Sequence, residues 1–359
     1  MKIKSLIAAF LVISCTPKVP QLGLLVGTYT ENTTAVGVYL YSFDAKTAEC
    51  TLTGMAPSGN PSFVISSPGG KMAYAVNEFN DGRQGVSSFV LEDGTITLQE
   101  SIPIPKELVD GEDPCNLLYT GNTIVSSNYT GGTVTAFSLT QDGYIEGLSQ
   151  QFGQEGAHMH CAVLSPEGKY IFVTDLGNDC IYRFEPDQTG PLSSPVTAWK
   201  NDDALHFGPR HIIFSADGRF AYLLCELADK LVVFSYNEGL LTPVQTITAY
   251  DGEGHGSADL HLSPDGRFLY TSHRLKEDGI AIFSVDSEKG TVSPAGYRPT
   301  GIHPRNFAIS PDGRFLLCAC RDSDRVEIYS IDPATGALTL TDKSIEVGAP
   351  VCIQFIPGK

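Results

Sequence analysis

One phrase recurs along the chain: a Pro, a short hydrophobic strand, a Ser-Pro-Asp-Gly-Arg-like turn, and a second hydrophobic strand. It is clearest from Pro209 to Leu227, from Ala258 to Arg274 and from Pro304 to Arg321. Looser copies run from Pro61, Pro114 and His160, and half a copy from Pro350 closes the chain. The seven units lie roughly 50 residues apart, and a strand-only repeat of that period builds a ring of small sheets, one per repeat. The expected fold is all-β: a seven-bladed β-propeller with four antiparallel strands in each blade.

Size agrees with a ring. A single core rarely grows beyond about 250–300 residues, whereas each blade of a propeller packs only on its neighbours, so 359 residues fit one such domain. Period-two alternation, frequent Gly and Pro, and no long stretch of helical periodicity point the same way. Residues 22–359 are expected to form one propeller. The half copy at the C-terminus lacks its second strand, while Leu24 to Thr30 reads as a second strand without a first. The seventh blade should therefore be closed by both chain ends, the C-terminus supplying the innermost strand. Closure of this kind removes the open edges of the ring.

The first residues have a different character. Lys2 and Lys4 precede the apolar run Leu6 to Ile13, too short for a membrane-spanning helix and shaped like a secretory signal. It runs into Val12-Ile13-Ser14-Cys15, similar to a bacterial lipobox, so residues 1–15 read as a lipoprotein signal with Cys15 the acylated residue and residues 16–21 as a tether. An ordinary signal peptide with an incidental Cys is the alternative. The expected location is the cell envelope, with membrane contact only through a lipid on Cys15; without processing it would be the cytoplasm.

A formal net charge of −17 argues against nucleic acid as a partner. Any anionic ligand then needs a local basic patch. Of the nine Cys, most fall inside predicted strands and none forms a zinc-finger spacing, so they read as small apolar core residues and no metal or other cofactor is implied. A monomer or weak dimer is expected. The Gly-rich stretch Asp251 to Asp259 lacks the Lys of a phosphate-binding loop and reads as a connection between blades four and five.

Aligning the turns places equivalent residues in columns. In each unit the start of the first strand and the end of the second lie side by side on one face of the disc. The position after the strand-initiating Pro reads Ser62, Cys115, His160, Arg210, Ala258, Arg305 and Val351. The ends of the second strands read Glu78, Tyr129, Leu176, Glu226, Arg274 and Arg321, with Asn77, Asn128, Asp175, Cys225 and His273 one residue earlier. Charged strand ends are often solvated pairs of little energetic weight. An acidic chain that sets four Arg on one inner rim, however, points to a site for a small anionic molecule.

The same residues carry a resemblance. Gly27-Thr28-Tyr29-Thr30, Asn128 to Gly132, His158 with His160, Asp175-Leu176-Gly177 with Asp179, Gly208 to His211, Glu226-Leu227 and Pro304-Arg305 occur in the order found in the seven-bladed lactonase family. That family includes propeller-type 6-phosphogluconolactonases and the fungal carboxy-muconate lactonising enzymes. The resemblance implies lactone hydrolysis, foremost of 6-phosphogluconolactone. Alternatives are another sugar-acid or carboxylate lactone handled in the envelope, a muconate cyclase, or a sugar-acid-binding propeller without turnover. It implies catalytic roles for His160, Arg210, Glu226 and Arg274: the two Arg for an oxyanion, and Glu226 or His160 as base. Substrate contacts are expected from His158, His211, Arg305, Arg321, Asn128, Asp175 and Glu78. Some propeller lactonases hold a central Ca²⁺, and Glu78, Asn128 and Asp175 could mimic part of such a set. The neighbouring Arg residues would oppose a cation there.

Overall fold

The computed structural model describes residues 21–105, 110–252 and 255–357. They form seven four-stranded antiparallel sheets arranged as a propeller. The proposed lipid-bearing Cys15 and most of the expected tether lie outside the described residues. Gln21, assigned to the tether from sequence, is instead the first residue of a strand, Gln21–Thr28, and pairs with Asp44.

Blade seven is built from both ends of the chain. The strand Pro350–Phe355 pairs with Gln21–Thr28, which continues outward to Gly37–Asp44 and Cys50–Pro57. Seven apolar clusters, one at each junction between neighbouring blades, make up the core. The junction of blades three and four holds Phe172, Ile181, Ile212, Leu223 and Phe234, and the junction that closes the ring holds Leu24, Val26, Leu317, Ile328 and Ile353.

The recurrent turn explains itself chemically. Ser263 Oγ donates to Asp265 (2.6 Å), Asp265 accepts from the backbone and Nε of Arg267 (3.1 and 2.8 Å), and Gly266 takes φ of 70°. Only a left-handed residue closes that turn without strain. Arg267 then reaches the next blade and donates to the Pro333 carbonyl (2.6 Å), as Arg219 does to Ser287 (2.7 Å) and Arg314 to Ala45. The Asp-Gly-Arg of the phrase is thus a staple between blades four to seven.

The opposite face is shaped by a repeated irregularity. In blades two, three, four and six the first strand begins at its Pro or equivalent, pairs once, then slips: the register shifts between Pro114 and Asn116, Met159 and Cys161, Pro209 and His211, and Pro304 and Asn306. The skipped residues are Cys115, His160, Arg210 and Arg305. A bulge re-aims its side chain out of the sheet, and here it turns one residue of each of these four blades toward the central channel. The residue after each second strand is tied to the same face, with Glu78 N–H donating to Asn60, Tyr129 to Asp113 and Glu226 to Gly208 (3.1, 2.9 and 2.8 Å).

Candidate active site

The bulged residues and the ends of the second strands enclose a cavity of about 410 Å³ at the mouth of the channel. Its ionisable lining is Glu78, Asp113, His160, Glu226, Arg274 and Arg305; Cys115, Tyr129, Thr130 and Leu275 complete the wall. A cleft of similar size, about 410 Å³, lies between the turns of blades four and five on the opposite face. Its Asp217 and Asp265 are bound to Arg219 and Arg267 of their own turns.

Glu226 is the centre of the charged wall. Arg274 Nη2 donates to Oε1 (2.7 Å) and Arg210 Nε to Oε2 (2.9 Å), leaving the side chain 18% exposed. Burial works against the carboxylate charge, but Arg274, Arg210 and Arg305 outweigh it and hold Glu226 below the ordinary carboxylate value. Arg274 is itself held by the Gly256 carbonyl (3.3 Å) and His303 Nε2 (3.3 Å). Burial, Arg210 and Arg305 lower its pKa, with Glu226 opposing, and as a guanidinium it stays cationic at neutral pH.

On the other side stands a second pair. Glu78 accepts from Tyr29 Oη (2.8 Å) and from Ser62 Oγ, and its Oε2 lies 3.7 Å from Arg305 Nη2. Arg305 is also centred 5.7 Å from the Tyr29 ring, a cation–π contact. Tyr29 and Glu78 keep Arg305 charged and above its ordinary pKa, against its burial.

His160 is buried, and its Nδ1 has no hydrogen-bond partner. Buried polar atoms are nearly always satisfied, so this nitrogen, closed off from solvent, is an exception, while the ring itself stands in the cavity wall. Burial and the nearby Arg210, His211, Arg305 and Arg274 hold its pKa well below the usual imidazole value, so the ring is neutral at pH 7. The Cys115 thiol is no nucleophile: it bonds backbone carbonyls of Ser127 and His160 (3.6 and 3.5 Å), and burial raises its pKa.

Six of the expected site residues sit differently from that expectation. Arg210 does not line the cavity: it is buried behind Glu226, with Nη1 bonded to the Ala258 carbonyl and to His211. His211 points down the channel onto Asp259 (2.7 Å). His158 stacks on Tyr129 (centroids 4.6 Å apart) and contacts its carbonyl, so it supports the wall from outside. Asn128 is fully buried and bonds Ser126, Thr133 and Thr135, while Asp175 caps its own loop through His158 N–H and Asn178. Arg321 enters a short 3₁₀ turn, Arg321–Ser323, and folds onto Asp322 (2.6 Å).

Tyr29, Asp113 and Thr130 were not singled out by sequence. Tyr29 lay within the Gly27 to Thr30 motif, and Asp113 immediately precedes a strand-initiating Pro; both signals were present. Among the described residues no group of three or more His, Cys, Asp or Glu side chains is arranged to hold a metal ion.

The geometry agrees with what the chain is similar to. Residues 23–355 match the model of the seven-bladed β-propeller lactonases. A 6-phosphogluconolactonase of Formosa agariphila is 31% identical over 354 residues, covering 92% of this chain and 99% of that one. A crystallised candidate 6-phosphogluconolactonase of Bacteroides fragilis superposes with a TM-score of 0.88 at 40% identity, over 94% of this chain and 98% of that chain. A periplasmic gluconolactonase of Pseudomonas aeruginosa superposes with a TM-score of 0.84 at 30% identity, over 94% and 99%. With a match that spans nearly every blade and a polar cavity at the mouth of the ring, the chain belongs to the seven-bladed β-propeller lactonase family.

Proposed function

We propose that the protein hydrolyses 6-phosphogluconolactone to 6-phosphogluconate in the cavity walled by His160, Glu226, Arg274 and Arg305. The observation that carries this reading is a neutral imidazole, His160, in the cavity wall beside guanidinium groups already held in place. Water attacks the lactone carbonyl, forming a carbon–oxygen bond while its proton passes to His160. Arg274 and Arg305 stabilise the oxyanion without reorganising, which is the main advantage of fixed charges in a shielded site. The ring carbon–oxygen bond then breaks, and His160 returns the proton to the departing ring oxygen. Glu226 is a poor base between two Arg; it orients Arg274 and accepts a substrate hydroxyl hydrogen. Arg210 acts only through Glu226.

A second reading is favoured by one observation: both guanidinium groups of the wall already face a carboxylate, Arg274 on Glu226 (2.7 Å) and Arg305 near Glu78 (3.7 Å). A neutral aldonolactone would suit that wall, as would a location in the envelope through a lipid on Cys15, and the Pseudomonas relative is named a gluconolactonase.

The test is turnover of both lactones above their spontaneous hydrolysis. A kcat/KM at least tenfold higher for the phosphorylated lactone supports the first reading, and the reverse ratio replaces it with the second. His160→Ala is expected to lower kcat by about 100-fold or more, the usual worth of a general base. Full activity in that variant would remove the mechanism.

A further inference from the structure

Below the cavity the channel holds a second chain of polar groups that the hydrolysis does not use. The Asp259 carboxylate, almost completely buried, accepts five donors. His211 Nδ1 (2.7 Å) and Leu260 N–H (2.9 Å) share Oδ1. His261 Nε2 (3.0 Å), Asn306 Nδ2 (2.5 Å) and Phe307 N–H (3.3 Å) share Oδ2. These groups come from blades four, five and six, and all but Phe307 line a separate cavity of about 200 Å³ that opens away from the mouth.

An ionised carboxylate is an acceptor only, so His211 must carry its proton on Nδ1. Its Nε2 is then a lone pair, and that lone pair faces Arg210 Nη1 at 3.3 Å. Arg210 offers only donors, so the other tautomer would set N–H against N–H between two buried side chains. Arg210 in turn grips Glu226 through Nε (2.9 Å). The groups facing His211 are therefore Asp259 and His261 from below, Arg210 from above, and the rings of His160 (5.2 Å) and Phe63 (6.5 Å) beside it.

We infer that Asp259 is a positioning residue of the lactonase site, acting through the tautomer of His211 on Arg210 and so on the orientation of Glu226. The inference rests on the lactonase reading, whereas the tautomer itself can be read with no substrate present. The logic is that of any carboxylate set behind an imidazole to fix which nitrogen carries the proton.

Asp259→Asn makes the role visible. Its amide nitrogen has to replace one carboxylate oxygen, and either side holds a backbone N–H that cannot become an acceptor, Leu260 on Oδ1 and Phe307 on Oδ2. On the Oδ2 side the new amide would also meet Asn306 Nδ2, whose own Oδ1 is kept by the Ile353 N–H (2.7 Å), whereas on the Oδ1 side His211 becomes an acceptor by moving its proton to Nε2. That points a donor at Arg210 and displaces it from Glu226.

Nitrogen NMR of labelled imidazoles in the unaltered protein is expected to show His211 protonated on Nδ1 at pH 7; protonation on Nε2 overturns the inference whatever the variants do. In Asp259→Asn the proton is expected on Nε2, with kcat lowered on the order of 10- to 100-fold and KM within about threefold. The control is Asn306→Ala, which removes another donor to Asp259 but leaves His211 and Arg210 untouched: it is expected to lower Tm and keep kcat within about threefold. Equal kcat losses in the two variants, or an Asp259→Asn enzyme with undiminished kcat, overturn the inference. Adding Asp259→Asn to His211→Phe is expected to cost no further kcat, since the intermediary is already gone; additive losses would mean that Asp259 acts by another route.

Discussion

Glu226 shows how one side chain can carry both stability and chemistry. It is shared by two guanidinium groups, one buried and one at the cavity wall, and breaking a buried pair by removing one partner leaves an uncompensated charge. Glu226→Gln is therefore expected to lower unfolding free energy by about 3 kcal/mol in urea titration, besides lowering kcat. A variant as stable as the parent would show that the two Arg find other partners. The neutral imidazoles make a second prediction. Burial and Arg210 push His211 down to about 4, and His160 lies well below its ordinary value. Between about pH 6.5, where free imidazole titrates, and pH 4, the unfolded chain binds protons that the folded one refuses. Stability must then fall as pH drops through that window, His211 alone accounting for about 2–3 kcal/mol by pH 4. His261, whose pKa Asp259 raises despite its desolvation, works in the opposite sense and offsets part of the loss. Catalysis should not follow stability: while the protein stays folded, kcat/KM is expected to remain flat from pH 7 to 5.5, because His160 is already neutral. A decline centred near pH 6.5 in the rate profile would show that His160 titrates normally.

At the scale of the strand, the columns drawn from the repeat found much of the site and misjudged part of it for identifiable reasons. The residue at strand entry reaches the cavity in three blades, as Cys115, His160 and Arg305 show. The bulge that places it there is a backbone event without a residue signature, so depth was not legible: Arg210 and Arg305 occupy the same column, yet one lies behind Glu226 and the other at the wall. The column containing Asn128 and Asp175 failed through strand alternation. Those residues are still within the second strand and point between blades, where Asn77, Asn128, Asp175, Cys225 and His273 are all buried. One residue later the chain has left the sheet, and Glu78, Tyr129, Glu226 and Arg274 reach the cavity. Asp179, part of the family motif, has its own strand-level task. With φ of 57° it turns the chain and accepts Phe207 N–H, Gly208 N–H and Asn201 Nδ2 (3.0, 2.9 and 2.7 Å), pinning the start of the next blade. Asp229 does the same for Ser257, and Asp324 for Ala349. Asp179→Ala is expected to cost about 2–4 kcal/mol, since it leaves buried donors unpaired and strains a left-handed residue. Asp179→Asn, which tolerates that φ, should cost less; a reversed order in chemical denaturation would refute the pinning role.

For the molecule as a whole, the repeat count and the split terminal phrases were enough to place the ring closure, because closure depends only on which strands lack partners. The strand Pro350–Phe355 contributes Cys352 to the buried junction on one side of blade seven and Ile353 and Phe355 to that on the other. Removing residues 350–357 is thus expected to abolish the cooperative thermal transition, and a truncated chain that melted like the parent would disprove closure by the C-terminus. Closure also acts at the site, for it holds Gln21–Thr28 in the ring and with it Tyr29, the donor to Glu78. The direction of that same strand has a further consequence. It rises from the turn face at Gln21 to the mouth at Thr28, and the strand beside it descends to Phe355, so both termini of the ring leave from the side remote from the cavity. Anything fastened ahead of Gln21, whether a lipid, a bead or a fused domain, therefore joins the ring at the face opposite the cavity mouth.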